Sequence, residues 1–262
     1  VRQGRAEDGA IIWVDVPAAF DAELARHWPP VGLAGPESAE RDPGAAEVAE
    51  PAARLDPATL ADGRPTGHTW ARLASDLALF AADHLVGRVA VHAGLATWRG
   101  RTLLLPGPSL AGKSTLALAL AAQGATVWTD EYALVSPTSG RAAGWRRPVH
   151  RRRADGGVDH VALPIPAGAD ERAPLAIDLV AVLRFDPAAG HDWAPIDAAD
   201  AVQHLLAHTV SARRHPDLAL DAALAVARSS VALEGRRGEA GEAAELLLSI
   251  LDGSAPPPGG SA

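Results

Sequence analysis

Cysteine, methionine and asparagine are absent from the 262 residues, and lysine occurs once. Without cysteine there is no disulfide framework, no thiolate zinc site and no thiol nucleophile. Positive charge is also in short supply. The net charge of -8 argues against a general binder of nucleic acid or anionic membrane, because phosphate backbones and lipid head groups attract basic surfaces. No apolar run approaches the ~20 residues of a membrane-spanning helix. The stretch "VRQGRAEDGAIIWVDV" lacks the basic region, long apolar region and small-residue cleavage site of a secretory signal, so a cytoplasmic protein is expected.

What is present alternates between two periodicities. Residues 10 to 16 read as a strand, and 18 to 28 have apolar residues at helical spacing. From Val31 to Gly67 the composition shifts to Pro, Gly, Ala and acids, with too little bulky apolar surface to offset its ordering entropy. An amphipathic helix is expected over 69–86. Strands at 88–94 and 101–107 follow, joined by a turn over 95–100. Then come a helix over 113–124, closed by a Gly, and a strand over 125–131. Further strands are expected in 132–137, near 142–149, in 160–165, 178–185 and 229–235. Helices are expected over 197–210, 216–228 and 241–253. This interleaving predicts an α/β fold with a mixed central sheet. The organisation read from it is a small N-terminal lobe and linker over 1–68, a main domain over 69–252 and a disordered tail over 253–262.

Between the second of these strands and the next helix lies "GPSLAGKSTL", residues 107–116. It fits G-x-x-x-x-G-K-[ST] at Gly107, Gly112, Lys113 and Ser114, after an apolar strand and before a helix, as a phosphate-cradling loop requires. Backbone N–H groups and the positive end of the helix suit a β phosphate. Lys113 would bridge phosphates, and the Ser114 hydroxyl would join a Mg²⁺ shell. Lys113 is the chain's only lysine, among 24 strongly basic residues. Its occurrence at this position by chance is about a one-in-24 event, which favours a functional loop over a structural glycine turn.

Asp130 and Glu131 close the strand that follows the loop helix. One acid can hold Mg²⁺ and the other can accept a hydroxyl proton, and a solvated strand end is the plain alternative. His92 closes the strand before the loop and is a candidate proton partner. The segment "GWRRPVHRRRAD" carries five arginines, Arg146, Arg147, Arg151, Arg152 and Arg153, either as a solvated loop or as a patch that docks an acidic peptide.

The run from "VHAG" through "LLLPGPSLAGKSTLALALAAQGATVWTDEYALV" resembles the catalytic core of the HPr kinase/phosphorylase C-terminal domain family and its shorter HPr-kinase-like relatives. The likeness spans about 45 residues and leaves residues 1–68 uncovered. It implies a P-loop core related to the phosphoenolpyruvate carboxykinase-like fold, and ATP- and Mg²⁺-dependent phosphorylation of a serine hydroxyl on a protein or peptide. By this resemblance Gly107, Ser109, Gly112, Lys113, Ser114 and Thr115 bind the nucleotide. Asp130, with Ser114, holds Mg²⁺, Glu131 serves as the base, and the two acids could exchange roles. His92 takes the place of the active-site histidine.

Three departures stand out. Leu110 occupies a usual Gly position, Glu131 replaces an Asp, and the E-I-R-G-L-G signature of the bifunctional enzymes is missing. Relatives without that signature, some associated with phosphorylation of ribosomal precursor peptides, fit better. A homo-oligomer is compatible with the sequence. Competing classes are a small-molecule kinase, and a nucleotide-binding regulatory or scaffold protein that transfers nothing.

Overall fold

The computed structural model describes residues 87–145, 149–152, 158–163, 165–166, 169–170 and 173–255, with strand residues 2–5, 11–15, 33–34, 53–54, 60–61 and 64–65 and residues 75–76, 78–83 and 85. The chain divides into two units, Val1–Val86 and Gly87–Ala262. In the first, β1 (Arg2–Arg5), β2 (Ile11–Asp15), β3 (Leu33–Ala34) and β4 (Ala53–Arg54) form a sheet of order β3-β1-β2-β4, and β5 (Leu60–Ala61) pairs with β6 (Arg64–Pro65). Residues 78–83 are helical. The helix expected over 18–28 and the boundary expected at residue 68 lie outside the described residues, as does most of the expected tail.

The second unit is built on one strand. β7 (Val89–Trp98) pairs with β8 (Arg101–Pro106) along one edge. Along the other edge it pairs antiparallel with β10 (Tyr132–Val135) and, further on, with β9 (Thr126–Thr129). The turn expected over 95–100 is therefore mostly strand. Only Arg99 and Gly100 turn, both at positive φ, the backbone that a two-residue hairpin with native twist requires. The Arg99 guanidinium lies 5.0 Å from the Trp98 ring centroid and pairs with Asp252 at 2.9 Å.

β11 (Ala142–Gly144), β14 (Leu179–Phe185), β15 (Asp192–Ile196) and β16 (Val231–Arg237) complete a mixed eight-stranded sheet of order β11-β10-β7-β8-β14-β16-β15, with β9 also on β7. β8, β14 and β16 are parallel, and the other pairings are antiparallel. β12 (Val149–Arg152) and β13 (Val158–Val161) form a separate pair. Successive strand side chains point to opposite faces, and two cores result. Val89, Val91, Ala93, Leu104 and Val180 meet residues of α2 (Ala198–Ala207) and α3 (Pro216–Ser229). Leu103, Leu105, Leu179 and Ala181 meet α1 (Lys113–Ala122) and α4 (Ala240–Leu251). Covering both faces explains why "TLLLP" and "DLVAVL" are nearly continuous apolar runs. Among the described residues no helix is long and apolar enough to cross a membrane.

β15 was not expected from sequence, since "HDWAPI" contains a Pro and two charged or titratable residues. It is an outer strand, where Pro is tolerated. Trp193, only 1% exposed, anchors it in the second core, and its indole N–H donates to the Arg236 carbonyl at 2.7 Å. Trp193→Ala is expected to destabilise the fold by about 3–5 kcal/mol. Trp193→Phe should cost less, the lost hydrogen bond accounting for about 1 kcal/mol of its effect. Chemical denaturation of the purified chain checks both.

Candidate functional site

β8 ends at Pro106 and α1 begins at Lys113, so the glycine-rich segment links a strand to a helix. Gly112 caps α1 at φ 84°, with no side-chain cap and no acid in the first turn. The helix therefore starts with free N–H groups and an uncompensated positive pole. Leu110, 79% exposed, also has positive φ, at 70°, a conformation that costs a side-chain-bearing residue about 1–2 kcal/mol.

Lys113 is buried and folds back over the segment, its Nζ donating to the Gly107 and Pro108 carbonyls at 2.8 Å each. Burial pulls its ammonium down to about 8, against the opposing pull of Asp130. The Ser114 hydroxyl donates to Asp130 Oδ2 at 2.6 Å. Asp130 is 4% exposed, and its other oxygen, Oδ1, is buried and accepts no hydrogen bond. Ser109 and Thr115 are exposed.

The acid pair sits at a break in a line of strand pairing. β9 stops at Thr129 and β10 resumes at Tyr132, both along the same edge of β7. Between them the Glu131 carbonyl accepts from the Ala93 N–H at 2.9 Å, and Thr129 Oγ1 accepts from the Glu131 and Tyr132 N–H groups. His92 lies opposite Tyr132 in register, and their ring centroids are 5.7 Å apart. The His92 carbonyl accepts from the Gly107 N–H at 3.2 Å. His92, the acids and the loop are therefore brought to one corner, as their spacing suggested. Burial pushes the Tyr132 phenol up to about 12, which keeps it protonated. The side chains of Arg146, Arg147, Arg151, Arg152 and Arg153 lie outside the described residues.

Two residues at this corner escaped the sequence reading. Arg237, the last residue of β16 and 2% exposed, donates through Nη2 to the Gly112 carbonyl and through Nη1 to the Gly238 carbonyl, both at 2.9 Å. Its guanidinium lies 5.1 Å from the Phe185 ring centroid. A clue was available in "EGRRG", two arginines closing an apolar strand. The second is His208, which caps the end of α2 and whose imidazole feels the Lys113 charge.

The corner combines helix N–H groups, an ammonium and a hydroxyl, which suit an anion with several oxygens, with two carboxylates that can share a cation or take a proton. Among the described residues no three His, Cys, Asp or Glu form a metal cluster. One buried carboxylate oxygen without a hydrogen bond, beside a hydroxyl, nevertheless fits Mg²⁺, which keeps several waters and takes its remaining ligands from phosphate.

Gly112 cannot carry a side chain, since a Cβ there would collide with Arg237 Nη2. Gly112→Ala is expected to unseat the Arg237 clamp as well as strain the backbone. Arg237→Ala should lower stability by about 2 kcal/mol in urea unfolding through loss of charge-assisted hydrogen bonds, and Arg237→Lys should recover little, because one ammonium lacks the fork that reaches both carbonyls. No protein-family model matches the chain, and no curated protein matches it.

Proposed function

We propose that the protein is an ATP- and Mg²⁺-dependent kinase, HPr-kinase-like with a P-loop core, that transfers the γ-phosphoryl group to a serine hydroxyl of a protein or peptide. The observation that carries this reading is the hydrogen bond of Ser114 to Asp130 at 2.6 Å. It joins the first turn of the loop helix to the acid pair, so that a phosphate-binding half and a proton-accepting half share one corner. The layout of "VHAG", "GPSLAGKST" and "TDEY" supports the family assignment, and the acidic chain suits a protein or peptide acceptor better than nucleic acid. We place the protein in the cytoplasm on the same reading of the sequence.

In this mechanism the N–H groups of Lys113, Ser114 and Thr115 hold the phosphates at the positive end of α1. Lys113 exchanges its carbonyl contacts for phosphate oxygens. Ser114 and Asp130 would hold Mg²⁺, which neutralises charge building on the phosphates. Glu131 takes the proton of the serine hydroxyl as its oxygen forms a bond to the γ phosphorus. The bond from that phosphorus to the β–γ bridging oxygen breaks, and ADP leaves with the electron pair. His92 lies on β7 opposite Tyr132, next to the acids, and orients or relays that proton. Positioning and charge neutralisation supply most of the rate.

Incubation with γ-labelled ATP and serine-containing peptides is expected to label peptide. Glu131→Gln should slow transfer by about 100-fold or more while keeping nucleotide affinity. Label on no peptide or protein, with ATP still bound, would overturn the kinase reading in favour of a nucleotide-binding regulator, and label on a metabolite would make it a small-molecule kinase. The acid–base sign for Lys113 is fixed by its depressed value of about 8. The ammonium is present below that pH and lost above it, so ATP affinity should fall as pH rises through 8, by up to about tenfold per pH unit. Lys113→Arg should lack that limb in calorimetric titrations, because the guanidinium stays charged.

A further inference from the structure

The end of α2 is tied to the loop corner by main-chain hydrogen bonds. The His208 carbonyl accepts from the His92 N–H at 2.7 Å, and the His92 carbonyl accepts in turn from the Gly107 N–H. Thr209 forms an antiparallel bridge with Val91, and its buried hydroxyl donates back to the Leu205 carbonyl at 2.8 Å. Two successive residues leaving α2 are thus registered against two successive residues of β7. An imidazole placed at this point cannot drift away from the corner without breaking that register.

The His208 imidazole is half-buried and makes no hydrogen bond or ion pair among the described residues. The charged groups that reach it are basic: Lys113 from α1 and His204 from α2 itself. His204 is engaged by Glu234 of β16 at 3.2 Å, and Lys113 is opposed by Asp130. Burial first, then Lys113 and His204, hold its pKa below the usual histidine value. A helix C-terminus on its own would favour a cation there, so the local arrangement opposes the ordinary preference. Lys113 and His204 both act against a charge on this imidazole, and a bound polyanion would reverse that balance.

Resting on the phosphate-binding reading above, we propose that His208 is an additional anion-binding residue of this site, its imidazole contacting a phosphoryl oxygen of the bound polyphosphate alongside Lys113. The anion screens the imidazole from Lys113 and His204, and a proton taken from solvent makes the contact charge-assisted. Polyphosphate binding is therefore coupled to proton uptake at a residue far along the chain from the loop.

The test uses the full chain and inorganic pyrophosphate. The His208 Cε1–H resonance is assigned by its loss in His208→Gln, and its titration is followed with and without pyrophosphate. The expected result is an upward movement of about one pH unit or more on saturation. Calorimetry in buffers of different ionisation enthalpy should read proton uptake that His208→Gln lacks, with affinity near pH 6 about tenfold weaker in the variant and its melting temperature unchanged. Saturable binding by the wild-type chain with the His208 titration unmoved would overturn this inference alone. Failure of the wild-type chain to bind pyrophosphate at all would overturn the phosphate reading together with it.

Discussion

The double pairing of β7 is the constraint on which the corner depends. One ten-residue strand carries β8 on one edge and β10 followed by β9 on the other, so everything attached to those strands is indexed to it. β8 delivers the glycine-rich loop, the gap between β9 and β10 delivers the acid pair, and the exit of α2 is bridged to Val91. Strand register moves in whole residues, and a slip of one reverses the face of every side chain. Burial of both faces of the sheet leaves no alternative register that keeps Val91 and Leu104 in one core and Leu103 and Leu105 in the other.

Within that frame the loop is held in an expensive conformation. Leu110 and Gly112 both adopt positive φ, the helix start is uncapped, and the Asp130 Oδ1 oxygen is buried without a hydrogen bond. Each of these costs free energy in isolation, and such features concentrate where a binding partner supplies what is missing. The compensations come from outside the loop. Arg237 grips the Gly112 carbonyl from β16, and Lys113 occupies the Gly107 and Pro108 carbonyls with its own ammonium.

The parts of this arrangement that were legible in the sequence are those written locally. The strand before the loop, the helix after it and the order of the candidate residues follow from apolar periodicity and a fixed-spacing motif. The mixed α/β class follows from the alternation of periods. The length of β7 was not legible, because "LATW" reads as a turn approach until its pairing with β9 is known. β15 was hidden by its Pro and its charged residues, and only the burial of Trp193 explains it. Arg237 and His208 belong to the corner through hydrogen bonds to Gly112 and His92 that each span more than a hundred residues, a separation at which no local pattern survives. The acids were expected as the last residues of a strand over 125–131, whereas they lie beyond β9, and that they interrupt one continuous line of pairing is a tertiary fact.

The solitary lysine has a consequence for how the molecule can be interrogated. Lys113 is the sequence's only side-chain amine, and burial brings its ammonium down to about 8, so a substantial share is unprotonated and nucleophilic just above neutral pH. Amine-selective acylation therefore has one side-chain target in these 262 residues, at the floor of the loop. Its rate reports on the occupancy of that floor without any engineered probe.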